Sequence, residues 1–358
     1  MRLLRVGTTG FRNLVPAVID VDAPIVAFCG PNGQGKTNWL EAVGVLGTLR
    51  SFRTARPAEI LRHGALEAAV EGYAESEGFS RRFTWSWGEG GRGLRREDRN
   101  VDAVAWLRSL RASYFVPADV GIVRGEPTLR RALLDRASLT LEPSYLSLSQ
   151  QCRRALEQKA ALVRSGRADG PTLDAIDEQL SALIVRVVSR RADTVAAMAG
   201  RMRDFHAAFG AGESCAVRYR PNLAGDAETV LRALHAARPG ERDARRLLAG
   251  PQRDDLELLV DGKPARAYAS QGQARSLVLA WKLAELASAW AEGETPLFLV
   301  DDVGSELDPG RTSRLVHTLG TLGAQVFLTT TDRRFLPVGI DGMRVLEVEA
   351  GVARLAQG

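Results

Sequence analysis

Lysine is nearly missing from this chain. Only Lys36, Lys159, Lys263 and Lys282 carry an ammonium group, and arginine supplies the rest of the 48 basic residues. The planar guanidinium suits phosphate contacts, yet an arginine-rich chain is also what a GC-rich genome encodes. The formal net charge of +5 therefore permits an acidic partner without showing one. Cysteine is scarce as well: Cys29, Cys152 and Cys215 are scattered and form no C-x-x-C pair, so neither a disulfide framework nor a zinc site is indicated. No apolar run reaches the ~18 residues that span a bilayer, and the opening MRLLRVGTTGFRNL lacks the apolar core of a signal peptide. A cytoplasmic protein is expected. There is no internal repeat or extended low-complexity tract. With 45% hydrophobic and 25% charged residues the composition is that of an ordinary globular protein, and the length suits two domains or one large domain with an insertion.

What is present begins at residue 30. Gly30, Pro31, Asn32, Gly33, Gln34, Gly35, Lys36, Thr37 and Asn38 read GPNGQGKTN, the G-x-x-x-x-G-K-[ST] pattern of a phosphate-binding loop. Glycines let backbone N–H groups wrap a polyphosphate, Lys36 reaches the β and γ phosphates, and the Thr37 hydroxyl ligates Mg²⁺. The apolar run Ile25–Phe28 reads as a buried strand before it. Trp39, Leu40, Ala42, Val43 and Leu46 give helical spacing after it, so the phosphates meet a helix N-terminus. The plain alternative, a chance glycine-rich turn, explains none of that context. A bound nucleoside triphosphate is expected.

Coarse periodicity places strands near Leu3–Gly7, Pro16–Asp20, Pro24–Phe28, between Ala65 and Trp87, and at Ser113–Val116, with a short helix over Val101–Leu110. Residues 88–100, GEGGRGLRREDRN, read as a polar turn or loop. From Pro127 the chain turns helical: one helix runs from Glu142 to about Val163, and after SGRADGP a second runs from Thr172 to Phe209. Ile176, Leu180, Leu183, Val187, Val195, Met198, Met202, Phe205 and Phe209 give the second a heptad-like seam, over roughly 55 Å. The pair is either a packed helical subdomain or a protruding arm. An α/β rhythm resumes at about 250, with strands at Leu256–Val260, Pro296–Val300, Gln325–Thr329 and Met343–Val348, and helices at Gln273–Trp290 and Arg311–Leu319. The expected organisation is an α/β head made of residues 1–126 and 251–358, flanking an inserted helical lobe at 127–250.

A phosphate loop needs an acid for Mg²⁺. The run PLFLVDD ends a buried strand in Asp301, which is expected to hold the metal with Thr37, and Asp302, which is placed to orient or deprotonate the attacking water. Adjacent acids also occur in solvated turns; after a phosphate loop they gain meaning. Upstream, Ser270, Gln271, Gly272 and Gln273 open an amphipathic helix, whose N-terminus offers free N–H donors to an anion. An N-cap role accounts for Ser270 but not for the Q-G-Q that follows.

Ser270–Gln273 resembles the signature motif of ABC-type ATPases, which contacts the γ phosphate bound by the other subunit. SELD at 305–308 resembles their D-loop, and Thr330 and Thr331 stand where many of them carry a switch histidine. The 233 positions between Thr37 and Ser270, much more than transporter-type ATPases use, resemble the SMC-like branch that acts on DNA. GFRNL (10–14), SFRT (51–54), VPADVGIVRGEPTLRRALLD (116–135), GPQRDD (250–255), ASQGQARS (269–276) and LVDDVGSELD (299–308), with the phosphate loop, are similar to the RecF family of bacterial recombination mediators. Gln252 departs from that family's histidine. The resemblance implies an α/β fold: an ABC-type P-loop ATPase head of SMC-like class with an inserted helical lobe. It implies ATP and Mg²⁺, an ATP-sandwiched homodimer in which Ser270 acts in trans beside Lys36 and Asp302, and slow turnover. It also implies binding of duplex DNA at single-strand gaps, with the RecO and RecR mediators, to load RecA. Asp119 falls at the Q-loop position, Arg12 near the phosphates, and Arg130 and Arg131 at the start of the insertion. Arg253, Asp254 and Asp255 serve an interface or the nucleotide, or else form a solvated turn. An SMC-like ATPase powering a nuclease or phage-defence complex is the alternative. The insertion argues against a transporter subunit.

Overall fold

In the computed structural model the described residues are 1–358 except 77, 167–169, 210–211, 292–295, 303–308, 322, 337–341 and 357–358. They divide into two compact units, Met1–Asp119 with Lys282–Gly358, and Val120–Trp281.

The first unit is built on two sheets. Strands β1 (Arg2–Thr9), β2 (Ala17–Asp20), β4 (Glu67–Ser76), β5 (Phe79–Gly88), β6 (Gly91–Arg96) and β7 (Arg99–Asn100) form one, entirely antiparallel, in the order β2-β1-β4-β5-β6-β7. The other, β15-β14-β3-β13-β12-β8, pairs β3 (Ile25–Cys29), β8 (Ala112–Phe115), β12 (Leu297–Val300), β13 (Val326–Thr330) and β14 (Met343–Glu349) in parallel, with β15 (Val352–Leu355) antiparallel at its edge. Every residue of β3, β8, β12 and β13 is buried. That is why each reads as a continuous apolar run rather than an alternation: helices and the second sheet cover both faces.

Helix α1 (Lys36–Thr48) is buried on nearly all sides, from Trp39 to Gly47. Its glycines are there for contact. A Cβ on Gly47 would stand 2.3 Å from the Ala112 side chain, so the helix lies directly on β8. Helix α2 (Ala103–Ser109) is started by Asp102, whose carboxylate accepts from Val104 N and Ala105 N at 2.8 Å.

Residues 88–100 are not a loop. Gly88 pairs with Gly91 across the two-residue turn Glu89–Gly90, and β6 and β7 extend the antiparallel sheet. Only Leu94 of β6 is buried, so a strand made of arginine and glycine, next to the edge of the sheet, left no apolar alternation to read.

The second unit contains α3 (Gly121–Arg124), α4 (Pro127–Leu141), α5 (Tyr145–Ser165), α6 (Pro171–Phe209), β9 (Cys215–Arg220), α7 (Ala227–Ala244), β10 (Asp255–Val260), β11 (Lys263–Pro264), α8 (Ala265–Tyr268) and the first half of α9 (Gln271–Ala291). Helix α10 (Pro309–Thr321) lies in the first unit. Helices α5 and α6 are antiparallel: Val163 packs on Leu173 at one end and Tyr145 meets Arg191 at the other. Their shared core of Leu148, Cys152, Leu180, Ile184 and Val187 is closed by Val230 and Leu234 of α7. The seam is therefore covered, as in a packed subdomain.

Strand β9 and helix α7 had no counterpart in the sequence reading, and they move a boundary. Strand β10 pairs with β9, Leu256 opposite Tyr219 and Leu258 opposite Val217, in a small sheet of the second unit. The second unit therefore extends to Trp281, beyond the expected 127–250.

Two buried charge networks hold this unit. Lys159, 1% exposed, lies 3.0 Å from both Asp177 and Glu241, each fully buried, and Arg238 donates to Asp177 at 2.9 Å. Elsewhere Arg191 bonds Asp135 (2.9 and 3.1 Å), the Pro251 carbonyl (3.0 Å) and Asp254 (2.6 Å). Asp254 is fully buried and also accepts from Tyr219 and from Asn222 N. Asp255 takes a two-pronged bond from Arg130, both arms 2.8 Å, while Arg131 donates to the Asp254 carbonyl. GPQRDD and the arginine pair of α4 are thus partners, and Asp254 is no solvated turn. Burying a carboxylate this deeply is tolerable only because its oxygens are satisfied.

Candidate nucleotide-binding site

The phosphate loop joins the C-terminal end of β3 to α1. Gly30, Gly33 and Gly35 all have positive φ (153°, 80° and 108°), a region that side chains oppose. At Gly30 space matters too, because a Cβ would meet the Val348 carbonyl at 2.4 Å. Gly30→Ala is expected to cost about 1–3 kcal/mol of stability from strain and to weaken ATP binding by about ten-fold or more. Thermal melting and nucleotide titration check both. Gln34 ties the loop down: its carbonyl accepts from Gly351 N and its side chain from Ala350 N, each at 2.8 Å. Pro31, Asn32 and Gly33 are exposed at the rim.

Lys36 turns its ammonium back to the Pro31 carbonyl at 2.8 Å, inside the curl of the loop. Burial holds its pKa below the usual lysine range, opposed by the carboxylates of Asp302 and Asp301. Thr37 Oγ1 donates to Asp301 Oδ1 at 2.9 Å, so the two residues expected to share a metal already converge. Burial pushes the Asp301 carboxyl above the ordinary carboxylate range, partly offset by the hydroxyls of Thr329 and Thr37 and reinforced by Asp302. The donor set fits the expected group: hydroxyl and carboxylate oxygens suit a hard cation, and the lysine and exposed backbone amides suit a polyphosphate.

Thr329 escaped the sequence reading. Its hydroxyl donates to Asp301 at 2.7 Å and accepts from Asp302 N at 2.8 Å, holding both acids from the neighbouring strand. No local pattern marks it, because the pairing of β12 with β13 creates the contact. Asp302 itself has φ +53°, a left-handed turn that aspartate tolerates better than most residues. Thr330 is buried, with its hydroxyl on the Asp332 carbonyl, and Thr331 is exposed.

The remaining expected residues are distributed differently. Arg12 grips the buried Glu41 of α1 with Nε at 3.0 Å and Nη2 at 2.8 Å, and also donates to the Glu59 carbonyl. Its guanidinium is held by a carboxylate partner, a contact that sequence spacing did not reveal. Asn38 bridges Asn13 and Arg53. Asp119 is buried and accepts from Val116 N at 3.3 Å within its own turn. In the second unit Ser270 and Gln273 form a reciprocal capping box: Gln273 N donates to Ser270 Oγ (3.2 Å) and Ser270 N to Gln273 Oε1 (2.8 Å). Both residues have a structural reason, while Gln271 and Gly272 between them stay exposed. The SELD segment lies outside the described residues.

A phosphate loop after the first strand of a parallel sheet, a carboxylate pair ending a neighbouring strand and a large helical insertion define an ABC-type ATPase head of SMC-like class. Among solved structures, the head of an Smc protein bound to the C-winged helix domain of ScpA aligns with a TM-score of 0.58 and 16% identity, covering 99% of this chain and 97% of that one. A structure of the recombination mediator RecF with an ATP analogue aligns with a TM-score of 0.89 and 24% identity, over 99% and 98%. No family model matches the chain. It is 39% identical to a DNA replication and repair protein RecF of Anaeromyxobacter sp. (strain Fw109-5), over 98% of both, and 38% identical to that of Myxococcus xanthus, over 93% of this chain and 91% of the relative. The chain belongs to the RecF family.

Proposed function

We propose that this chain is an ATP-gated DNA-binding protein of repair and replication, closed by nucleotide into a homodimer on duplex DNA beside single-strand gaps. There it acts with RecO and RecR to load RecA. The observation that carries the ATPase half is the convergence of Thr37 and Asp301 at 2.9 Å beside the buried Lys36. Mg²⁺, when bound, supplies charge neutralisation on the β and γ phosphates. Thr37 and Asp301 would hold it, the Thr37 hydroxyl through a lone pair that its hydrogen bond to Asp301 leaves free. Lys36 leaves the Pro31 carbonyl for phosphate oxygen. Asp302 accepts a proton from, or orients, the attacking water. Ser270 accepts from Gln273 N yet keeps its own hydroxyl proton to donate, which suits a γ phosphate held by a second subunit. ATP binding is then coupled to dimer closure, and hydrolysis to release.

Asp302→Asn keeps the left-handed turn but removes the base. Turnover is expected to fall by about 100-fold or more with ATP binding retained and the dimer longer-lived. Single-turnover hydrolysis alongside light scattering measures both, and normal turnover would remove Asp302 from the chemistry. The DNA half is tested by titrating labelled gapped duplex with and without ATP. Binding that is indifferent to ATP, or absent at low salt, defeats it.

A further inference from the structure

One strongly charged surface has no part in the nucleotide chemistry. Residues 79–111 contain eight arginines against four acids, an excess of four in a chain whose total is +5. Six of the eight arginines stand on β5, β6 and β7, at one edge of the antiparallel sheet.

Within this edge some arginines are used structurally. Arg82 pairs with Asp98, Arg96 donates to Ser109 Oγ at 3.0 Å, and Arg92 donates to the Leu49 carbonyl. Arg81, Arg95 and Arg99 are exposed, and their guanidinium groups have no hydrogen-bond or ion-pair partner among the described residues. Arg99 stands opposite Arg96, whose other neighbour is Phe83, two residues from Arg81, so Arg81 and Arg99 share one face of the sheet; Arg95, opposite Thr84 and Asn100, lies on the other face of the same edge. Phe79 at the start of β5 is 66% exposed.

Charged side chains on an edge strand discourage edge-to-edge pairing between molecules. That role gives no reason for an exposed phenyl ring beside the arginines. A polyanion does. Guanidinium groups on three neighbouring strands, flanking a sheet edge from both faces, present forked donors to phosphates, and the aromatic ring offers a face for an unstacked base.

We infer that the β5–β6–β7 edge is a DNA-docking surface, with Arg81, Arg95 and Arg99 as its phosphate contacts. This rests on the DNA-binding reading above and adds the surface to it. The test is fluorescence anisotropy of a labelled gapped duplex with the full chain and a non-hydrolysable ATP analogue, over a series of KCl concentrations. Each lost phosphate contact removes ~0.9 from the slope of log affinity against log salt on duplex DNA. The triple variant R81Q/R95Q/R99Q should therefore lower the slope magnitude by about 2–3 and weaken binding about ten-fold or more at intermediate salt. Its ATP affinity and melting temperature should match the wild type, since all three side chains are exposed. An unchanged slope, with the wild type binding normally, overturns the surface and leaves the DNA reading intact. A wild type that ignores DNA at low salt overturns that reading itself.

Discussion

Lys36→Met is expected to lose ATP binding by about 100-fold or more, while the melting temperature without nucleotide does not fall. Lys36 is 8% exposed, and among the described residues its ammonium has one hydrogen bond, to the Pro31 carbonyl. Burial already disfavours the charge, as the downward shift of its pKa shows. An ammonium kept in a desolvated loop is poised for phosphate: each charge-assisted hydrogen bond is worth about 1.5–3 kcal/mol, and two such bonds correspond to roughly two to four decades of affinity. Methionine has similar length and no charge. In the free protein it removes a desolvation cost and a single hydrogen bond, two small and opposed changes. Titration with a fluorescent ATP analogue and a melting curve on the same sample separate the two effects. An affinity within a few-fold of wild type would mean that Lys36 does not reach the phosphates. A large fall in melting temperature would mean that it supports the fold.

The site was legible where its chemistry is local in sequence. The phosphate loop, the strand before it and the acid pair after β12 each combine a fixed spacing with an apolar run, because both strands are buried on both faces. What escaped detection depends on pairing between distant segments. Thr329 matters only because β13 lies beside β12, and Arg12 is tied up only because Glu41 is buried beneath it. Strand β6 was hidden by its exposure beside the edge strand β7, where Arg92, Arg95 and Arg96 replace the alternation that a half-buried strand would show. The boundary at Trp281 was missed for a related reason: β10 has strand character on its own, but its partner β9 determines the unit to which it belongs. The Ser270–Gln273 capping box was readable as S-x-x-Q at a helix start.

The second unit should prove most vulnerable at Lys159, far in sequence from any nucleotide contact. Its ammonium lies between Asp177 and Glu241, both fully buried, with α5, α6 and α7 each contributing one member. Glu241 is further committed, because its other oxygen accepts from Leu248 N and Ala249 N at 2.8 and 3.2 Å and so fixes the chain leaving α7. Lys159→Met would leave two carboxylates facing each other in a low dielectric, with Arg238 compensating only Asp177. Removing one member of a buried ion group costs about 3–5 kcal/mol, and at about 2–4 °C per kcal/mol for a unit of this size the melting transition should drop by roughly 6–20 °C. The double variant K159M/E241Q discriminates between mechanisms. Glutamine retains the acceptor for Leu248 and Ala249 while discarding the unpaired charge, so it should recover most of the loss. That outcome makes the two substitutions strongly non-additive, as expected for groups in direct contact. If K159M/E241Q instead melts below K159M, the unpaired carboxylate of Glu241 is not what destabilises K159M, and the charge argument fails.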